Sequence, residues 1–317
     1  MKQNPKIILF GKTGQLGHTL SCALAALGNL LVFDRQTANF LDPKRIHDLL
    51  VFHKPAVIVN ATAFTAVEKA ETEQQTAYTI NAEAVAVLAH YAATTNAWLI
   101  HYSTDYVFDG TKSSAYLETD IPNPINVYGL SKLQGEQYIL DSGCNGIIIR
   151  TSWVYGYHGG NFLRTLLRLA EKKASLQIVD DQIGSPTSVE LLADVTTQII
   201  QTNIHHPRTI TPGIYHLTAE GETSWYHYAQ FFLHELQEHG LRYLLQPEQI
   251  QPVNSETYAA IAPRPKNSCL NTKKIQRLLD RSFPSWHSGV QRWVKQLTTE
   301  LTAYRNHPSS YPRHTIT

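Results

Sequence analysis

The chain has 317 residues, of which 43% are hydrophobic and 17% charged, and its formal net charge at pH 7 is +1. This balance excludes the strongly basic surface that nucleic acids or anionic membranes attract. No apolar run approaches the ~20 residues that span a bilayer, and the start, Met1 to Pro5, leads straight into a strand, so we expect no signal peptide. Three scattered cysteines without metal-ligand spacing predict a reducing compartment, and hence a cytoplasmic protein.

Short apolar runs alternate with longer helical patterns in the first half of the chain. This alternation predicts βαβ units, with the strands side by side in a parallel sheet. The predicted strands are 6–10, 30–33, 56–60, 98–102 and 146–150. The predicted helices are 15–27, 43–52, 76–94 and 130–140. Gly28 is placed to end the first helix. Residues 1–150 are therefore predicted to form a Rossmann-type, doubly wound dinucleotide-binding domain.

The pattern changes at about Thr151. Helices are predicted over 161–173 and 189–201 and a strand over 176–179, after which the loops lengthen and prolines recur. We expect residues 151–305 to form mainly a smaller substrate-binding domain, interleaved with the end of the sheet, so that the first domain also takes in parts of the later chain. Residues 306–317 lack periodicity, which predicts a flexible tail.

Three glycines follow the first strand at three-residue spacing. A Gly-x-x-Gly-x-x-Gly run between a strand and a helix is typical of a dinucleotide site, although a tight turn without a ligand is the alternative. We expect Gly11 and Gly14 to adopt backbone angles forbidden to other residues, and Gly17 to let the helix pack closely. The helix N-terminus then attracts phosphates. The predicted cofactor contacts here are Gly11, Lys12, Thr13, Gly14, Gln15, Leu16 and Gly17.

The second strand ends at Asp34, about twenty residues after the glycines, where a dinucleotide site places a carboxylate for the adenosine ribose. Asp34 favours NAD, whereas Arg35 could pair with the 2′-phosphate of NADP, so we expect use of either cofactor. The alternative for Asp34 is a simple loop carboxylate. Asp42 is a candidate to border the adenine. Ala61 and Ala63, small residues after the third strand, would let the nicotinamide half lie against the backbone.

Tyr128 and Lys132 are predicted to lie one turn apart on the same face of a helix. A carbonyl reductase must give a proton to the carbonyl oxygen, and an ordinary Tyr, with a pKa of about 10, is a weak acid for that task. A neighbouring ammonium group favours the phenolate, so Tyr128 is the predicted proton donor and Lys132 its electrostatic partner and a ribose contact. Thr104, or alternatively Ser103, would orient the carbonyl, because alternation lets only one of them face the site.

Several sequence blocks make the chain resemble the extended short-chain dehydrogenase/reductases, and among them the dTDP-4-dehydrorhamnose reductases. The most specific blocks are His101 to Phe108 (HYSTDYVF) and Arg150 to Tyr155 (RTSWVY). The other matching blocks are Phe10 to Gly17, Thr65 to Val67, Leu117 to Asp120, Asn126 to Gly129, Asn161 to Phe162, Asp180 to Thr187 and Arg264 to Ser268. The resemblance therefore covers nearly the whole chain.

This resemblance implies a reaction and a substrate site. The implied reaction is the NAD(P)H-dependent reduction of the C4 keto group of dTDP-4-dehydro-6-deoxy-L-mannose to dTDP-L-rhamnose. The resemblance places Thr65 at the cofactor, and it places Asp105, Tyr106 and Trp153 near the deoxyhexose, where an indole offers a flat apolar face. Arg264 is the candidate for the diphosphate, because a guanidinium pairs with phosphate oxygens bidentately.

Two departures from related enzymes refine this interpretation. Nucleotide-sugar 4,6-dehydratases carry an acidic residue after Thr-Asp, and Tyr106 stands there in this chain, which favours reduction over dehydration. Some reductases of the family pair through acidic residues that hold magnesium. Here the corresponding stretches read Gly17 to Leu20 (GHTL) and Lys295 to Leu297 (KQL), and only Glu190 remains. The sequence thus argues against a magnesium-bridged dimer and favours a monomer or a weak dimer.

Alternatives from other functional classes remain open. An epimerase of the same fold would turn over without net consumption of NADPH. The regulatory subunit of methionine adenosyltransferase resembles this family and acts by binding a partner enzyme, but a binding module has no need of Thr104, Tyr128 and Lys132 together. The fifteen histidines lack the spacing of a zinc site, so no metal site is predicted.

Overall fold

The computed structural model describes residues 5–206, 209–257 and 260–306. The predicted tail, residues 306–317, lies outside these ranges except for Asn306, which is the last residue of a helix. The strands are β1 (Lys6–Phe10), β2 (Asn29–Phe33), β3 (Val57–Asn60), β4 (Trp98–Thr104), β5 (Asn145–Thr151), β6 (Val154–Tyr155), β7 (Leu176–Val179), β8 (Ile183–Gly184), β9 (Thr187–Ser188), β10 (Gly213–His216), β11 (Thr223–Ser224) and β12 (Ile250–Val253).

The helices follow the same chain order. They are α1 (Gln15–Ala23), α2 (Pro43–His53), α3 (Val67–Thr72), α4 (Gln74–Tyr78), α5 (Ala84–Thr95), α6 (Val127–Asp141), α7 (Phe162–Ala170), α8 (Val189–His205), α9 (Trp225–Glu238), α10 (Lys273–Leu279) and α11 (Trp286–Asn306). Short 3-10 helices span Leu24–Ala26, Asp105–Val107 and Pro247–Gln249, and a π-helical turn spans Thr79–Glu83. Within the described ranges, no helix combines the length and apolarity needed to cross a membrane.

Six parallel strands form the central sheet, in the order β2-β1-β3-β4-β5-β10. The predicted Rossmann-type sheet is confirmed. The chain leaves β1 towards β2 on one side and later returns to β3 on the other, which makes the carboxyl ends of β1 and β3 the switch point where such sheets bind ligands. The last strand, β10, comes from the part of the chain beyond Thr151.

Alternation along the strands builds a core on each face of the sheet. Ile7 and Leu9 of β1 pack in one buried cluster, whereas Ile8 and Phe10 pack in the other. Because successive side chains of a strand point to opposite faces, strands covered by helices on both sides are apolar throughout. Buried polar side chains appear towards the carboxyl ends of these strands, among them Asn60 of β3 and Thr104 of β4.

Two local predictions were wrong. The single helix predicted over 76–94 is interrupted by the π-helical turn at Thr79–Glu83, a feature that often marks a functional position. Gly28 does not cap the first helix in a left-handed conformation: α1 passes into the 3-10 helix Leu24–Ala26, whose C-cap is Leu27 with right-handed backbone angles. A Cβ at Gly28 would lie 2.3 Å from the carbonyl oxygen of Pro5, so glycine is needed there for close backbone approach.

Candidate active site

A cavity of about 610 Å³ opens at the carboxyl ends of the central strands. Most of the predicted site residues meet in its wall, although the chain separates them by more than 100 positions. The predicted residues that line it are Thr13, Gly14, Gln15, Leu16, Ala61, Ala63, Thr65, Thr104, Asp105, Tyr106, Tyr128, Lys132 and Trp153. The wall also includes Ser103, whose hydroxyl oxygen is fully buried, next to Thr104.

The glycine turn joins β1 to α1 through contacts that exclude larger side chains. Gly11 has φ of +92°, and a Cβ there would lie 2.7 Å from the carbonyl oxygen of Ala61. A Cβ at Gly17 would lie 1.9 Å from the carbonyl oxygen of Gly11, so the helix can approach the strand only because Gly17 lacks a side chain. Gly14 has an ordinary φ of −73°, and the expectation of a special backbone angle there was wrong.

The residues present fit a dinucleotide at this turn. No side chain caps the N-terminus of α1, and Thr13, Gly14 and Gln15 expose that end of the helix to the cavity. Uncapped N–H groups at a helix N-terminus suit the oxygens of a pyrophosphate. Among the described residues, the Ser103 and Thr151 hydroxyls are buried in the wall without a protein partner, which leaves two hydrogen-bonding groups for a ligand.

Helix α6 carries Tyr128 and Lys132 into the cavity. Asn126 caps the helix by accepting from the backbone N–H of Gly129 at 2.8 Å, and it donates to the carbonyl oxygen of Pro263 at 2.9 Å. A Cβ at Gly129 would lie 2.1 Å from the carbonyl oxygen of Tyr106, so the helix start packs directly on the residues after β4. This packing brings the Tyr106 and Tyr128 rings together, with 5.8 Å between their centroids.

The Tyr128 hydroxyl is buried beside the end of β4. Burial raises the pKa of Tyr128 to about 12, a hydrogen bond with Thr104 acting in the opposite direction. The predicted lowering of this pKa by Lys132 is not found, because the energetic penalty of burying a phenolate dominates. Tyr128 is therefore held in its protonated form, ready to donate. Thr104 donates to the Asp105 carboxylate at 2.9 Å and accepts from the backbone N–H of Tyr106 at 3.1 Å.

Lys132 is 1% exposed, and its partners lie on β4. Its Nζ donates to the carbonyl oxygen of Tyr102 at 2.6 Å and lies 3.1 Å from Nε2 of His101. Burial lowers the pKa of Lys132 to about 8, with Glu136, one turn along α6, acting to raise it. A cavity-lining lysine that titrates near neutral pH is a strong candidate for a functional group.

The other end of the cavity is aromatic and acidic. Trp153 has φ of +46°, unusual for a bulky residue, and its ring stacks on Trp225 with 3.6 Å between centroids. A Cβ at Gly184 would lie 2.5 Å from Cε2 of Trp153, so the backbone at Gly184 packs directly against the indole. Burial raises the pKa of Asp105 to about 6, against hydrogen bonds from Ser268 and Thr104. This end thus offers a flat apolar surface beside a hydrogen-bonding carboxyl group.

The remaining predicted residues lie outside the cavity wall. Asp34 accepts from the Thr37 hydroxyl at 2.8 Å, and this bond, with backbone N–H groups, lowers its pKa. Arg35 is exposed. Asp42 caps α2 through the backbone N–H of Arg45. Arg264 donates to Glu68 at 2.9 Å. Gly11, Lys12 and Gly17 belong to the turn but are not among the residues that line the cavity, and Lys12 is exposed.

Some wall and neighbouring residues were not predicted. Trp225 begins α9, far along the chain from Trp153, and nothing in its local sequence signals the stack. His101 of β4 contacts both Asn60 of β3 and Lys132. His101 stood within a recognised block without an assigned role. In the parts of the chain that are described, no group of three or more His, Cys, Asp or Glu side chains is arranged to hold a metal.

Comparison with known proteins gives consistent matches. Residues 5–299 match the family model described as the RmlD substrate binding domain. The dTDP-4-dehydrorhamnose reductases of Salmonella typhimurium and Escherichia coli are each 43% identical, over 93% and 92% of this chain and 99% and 98% of the relative. A crystal structure of the Bacillus anthracis dTDP-4-dehydrorhamnose reductase in complex with NADP has a TM-score of 0.83 at 32% identity, covering 93% of this chain and 100% of that chain.

Proposed function

The chain belongs to the dTDP-4-dehydrorhamnose reductase family, and we propose that it reduces the C4 keto group of dTDP-4-dehydro-6-deoxy-L-mannose with NAD(P)H, giving dTDP-L-rhamnose. The main observation in support of this proposal is that Tyr128, Thr104 and Lys132 line the same cavity as the uncapped N-terminus of α1. A carbonyl reductase needs a proton donor, a group that orients the carbonyl, and a cofactor cradle within reach of both.

Tyr128 is the proposed proton donor to the C4 oxygen. Its high pKa keeps it protonated at working pH. The Thr104 hydroxyl lies beside Tyr128 and gives its one proton to Asp105; we propose that it turns this proton to the same carbonyl oxygen when the sugar is bound and so holds that oxygen against the acid. When charged, Lys132 stabilises the phenolate that remains, because opposite charges in a buried site interact strongly. Tyr106 stands where a dehydratase has an acidic side chain, so nothing at that position promotes elimination of water.

Thr13, Gly14, Gln15 and Leu16 are proposed to hold the pyrophosphate of the cofactor, and Ala61, Ala63 and Thr65 the nicotinamide half. The reduced nicotinamide supplies the hydride when it is bound. Asp34 and Arg35 stand beyond these residues as candidates for the adenosine ribose and for a 2′-phosphate. The Bacillus anthracis relative binds NADP, and the coexistence of the two side chains supports use of either cofactor by this chain.

The sugar is proposed to lie against Trp153 and to hydrogen-bond with Asp105, with Tyr106 beside it. The stacked, strained Trp153 ring is a rigid apolar surface suited to a C6 methyl group. Arg264 remains the candidate for the diphosphate. Since Arg264 is paired with Glu68, we propose that a phosphate would take the place of that carboxylate.

Replacing Trp153 by Ala should raise the KM for the sugar nucleotide roughly tenfold, the equivalent of about 1.4 kcal/mol of lost aromatic contact, and raise the KM for NADPH much less. Steady-state kinetics with each substrate varied in turn measures the two effects. Trp98→Ala is the matched control, because Trp98 lies at the opposite end of β4 and outside the cavity wall. A larger effect on NADPH would remove Trp153 from the sugar site.

We also propose that the protein acts in the cytoplasm as a monomer or a weak dimer. The three free cysteines are consistent with a reducing compartment. The stretches Gly17 to Leu20 and Lys295 to Leu297 lack the acidic residues through which magnesium would bridge two subunits. Sedimentation with and without magnesium tests this: a dimer that dissociates on chelation would contradict it.

The direct test of the proposed reaction follows nicotinamide absorbance. Purified protein is mixed with NADPH or NADH and with the keto sugar nucleotide, which the preceding dehydratase and epimerase generate in situ. We expect absorbance to fall only when the sugar is present, and the relative rates give the cofactor preference. A flat trace together with tight cofactor binding would contradict the reductase, as would turnover without net NADPH consumption, which identifies an epimerase.

A further inference from the structure

His101 is a buried titratable residue that the proposed reaction does not use. It is 0% exposed, and its side chain lies between Asn60 and Lys132. The backbone pairing of β3 with β4 places Asn60 directly beside His101, so this contact is built into the sheet. A polar chain therefore runs from the end of β3 through the imidazole to the amino group of Lys132.

The orientation of the Asn60 amide is fixed from its other side. Oδ1 of Asn60 accepts from the backbone N–H of Thr62 at 3.0 Å. The amide nitrogen Nδ2 is thereby left facing Nδ1 of His101 at 3.0 Å. An amide NH₂ can only donate, so Nδ1 of His101 must be the acceptor. In a neutral imidazole with Nδ1 unprotonated, the single proton lies on Nε2.

His101 is held neutral by its surroundings. Burial lowers the pKa of His101 well below its ordinary value, and the positive charge of Lys132 acts in the same direction. A neutral ring with its proton on Nε2 presents a donor to Lys132, whose Nζ lies 3.1 Å away. An ammonium group has three donors and no acceptor, so it cannot form this hydrogen bond. An uncharged amine can accept it through the lone pair, while one of its own N–H groups donates to the carbonyl oxygen of Tyr102.

We propose that Asn60 and His101 are positioning residues: Asn60 fixes the proton of His101 on Nε2, and His101 donates it to Lys132, favouring the uncharged amine. The inference rests on the proposed reduction and assigns a regulation to the same site. The charged lysine is the form that supports proton donation by Tyr128, so the Asn60–His101 pair sets the pH above which the enzyme loses that support.

The other ionisable groups near Lys132 do not explain a loss of activity as the pH rises towards 8. Those facing it or its helix are Tyr128 and Glu136 on α6, Tyr102 on β4, Arg150 on β5, and Asp105 and Tyr106 after β4. Glu136 opposes loss of the lysine charge, but its carboxylate is paired with Arg150. Burial raises the pKa of Tyr128 to about 12, too high for this group to titrate near pH 8. Burial lowers the pKa of Lys132 to about 8 against the charge of Glu136, and the hydrogen bond proposed from His101 would act in the same direction as burial.

Loss of the positive charge on Lys132 should lower activity at high pH. Below its pKa, Lys132 is charged and stabilises the phenolate, and above its pKa the amine is neutral and this support is lost. With saturating NADPH, kcat/KM for the sugar nucleotide should therefore decline on the basic side, with its midpoint at the pKa of Lys132. A change that lets His101 accept instead of donate should move that midpoint to higher pH.

Asn60→Asp makes this change with little alteration in shape. One carboxylate oxygen still accepts from Thr62, and the other now accepts from His101 Nδ1–H, which leaves Nε2 free to accept from Lys132. We expect the basic midpoint to rise by about one pH unit or more. Asn145→Asp, at the half-buried start of β5, is the control for an added carboxylate and should leave the midpoint in place. An unmoved midpoint in an active Asn60→Asp enzyme overturns the inference.

The ring itself gives a readout that does not depend on turnover. In ¹⁵N NMR of the wild-type protein with bound NADP⁺, the His101 resonances, assigned by their loss in His101→Gln, should show Nε2 protonated and Nδ1 unprotonated. A protonated Nδ1 overturns the inference even if Asn60→Asp fails to fold. Absence of wild-type turnover would instead refute the proposed reduction, and the tautomer would still be measurable.

Discussion

Replacing Tyr128 by Phe is expected to lower kcat by about 10²- to 10⁴-fold, the usual contribution of a positioned general acid. The substitution removes one hydroxyl and leaves the ring, its edge contact with Tyr106 and the helix start unchanged. Affinity for NADPH should therefore stay within a small factor of the wild-type value. Steady-state turnover, combined with a fluorescence titration of NADPH, measures both quantities on the same preparation.

Tyr138→Phe is the matched control, since Tyr138 lies on the same helix α6 with its side chain partly exposed to solvent. It loses the same hydroxyl group away from the cavity and should turn over at the wild-type rate. If Tyr128→Phe kept near-normal kcat, another acid would have to supply the proton, and Asp105, whose pKa burial raises to about 6, would be the next group to test.

The sheet, the glycine turn and the groups Thr104, Tyr128 and Lys132 could be predicted because each depends on local sequence. Apolar strands alternate with helices, the glycines stand between a strand and a helix, and a Tyr and a Lys four residues apart share a helical face. The order of these features along the chain then limits the possible topologies, because the crossover connections of βαβ units are almost always right-handed. The structure brings these groups to one cavity at the switch point of the sheet.

The electrostatic state of those groups could not be predicted in the same way. The sequence led us to expect that Lys132 lowers the pKa of Tyr128, yet burial dominates and raises it. The partners of Lys132, His101 and Tyr102, both lie on β4, and the contact of His101 with Asn60 of β3 depends on strand register across 41 residues. Which residues of two strands become neighbours depends on the tertiary fold, so the spacing of residues along the chain does not predict these contacts.

The partners of polar residues in loops are also difficult to predict from the sequence. Asp34, Asp42 and Arg264 have the residue types that suit a nucleotide, and in the structure each also contacts a protein group: a turn hydroxyl, a helix N-terminus and the Glu68 carboxylate. Polar side chains in loops satisfy backbone groups as readily as ligands. Trp153 shows the opposite case, because its positive φ and its stack on Trp225 appear only once the chain is folded.

A buried ion pair behind the cavity ties α6 to the sheet. Arg150 of β5 donates from Nε to one carboxylate oxygen of Glu136 at 2.9 Å and from Nη2 to the other at 2.5 Å, and both side chains are 1% exposed. Glu136 lies one turn beyond Lys132 on α6, so this pair helps to hold the catalytic helix in place. Each charge depends on the other, because neither has access to water.

Arg150→Met is therefore expected to lower the free energy of unfolding by about 3–5 kcal/mol, because it leaves the buried Glu136 carboxylate without a positively charged partner. Urea unfolding followed by tryptophan fluorescence measures the loss. Removing the second charge as well, in Arg150→Met/Glu136→Leu, should recover much of the stability, because replacing a whole buried pair by apolar residues is often nearly neutral. If the double variant were as unstable as the single one, packing of Arg150 against the Phe108 ring, 5.1 Å from its guanidinium, would be the dominant contribution.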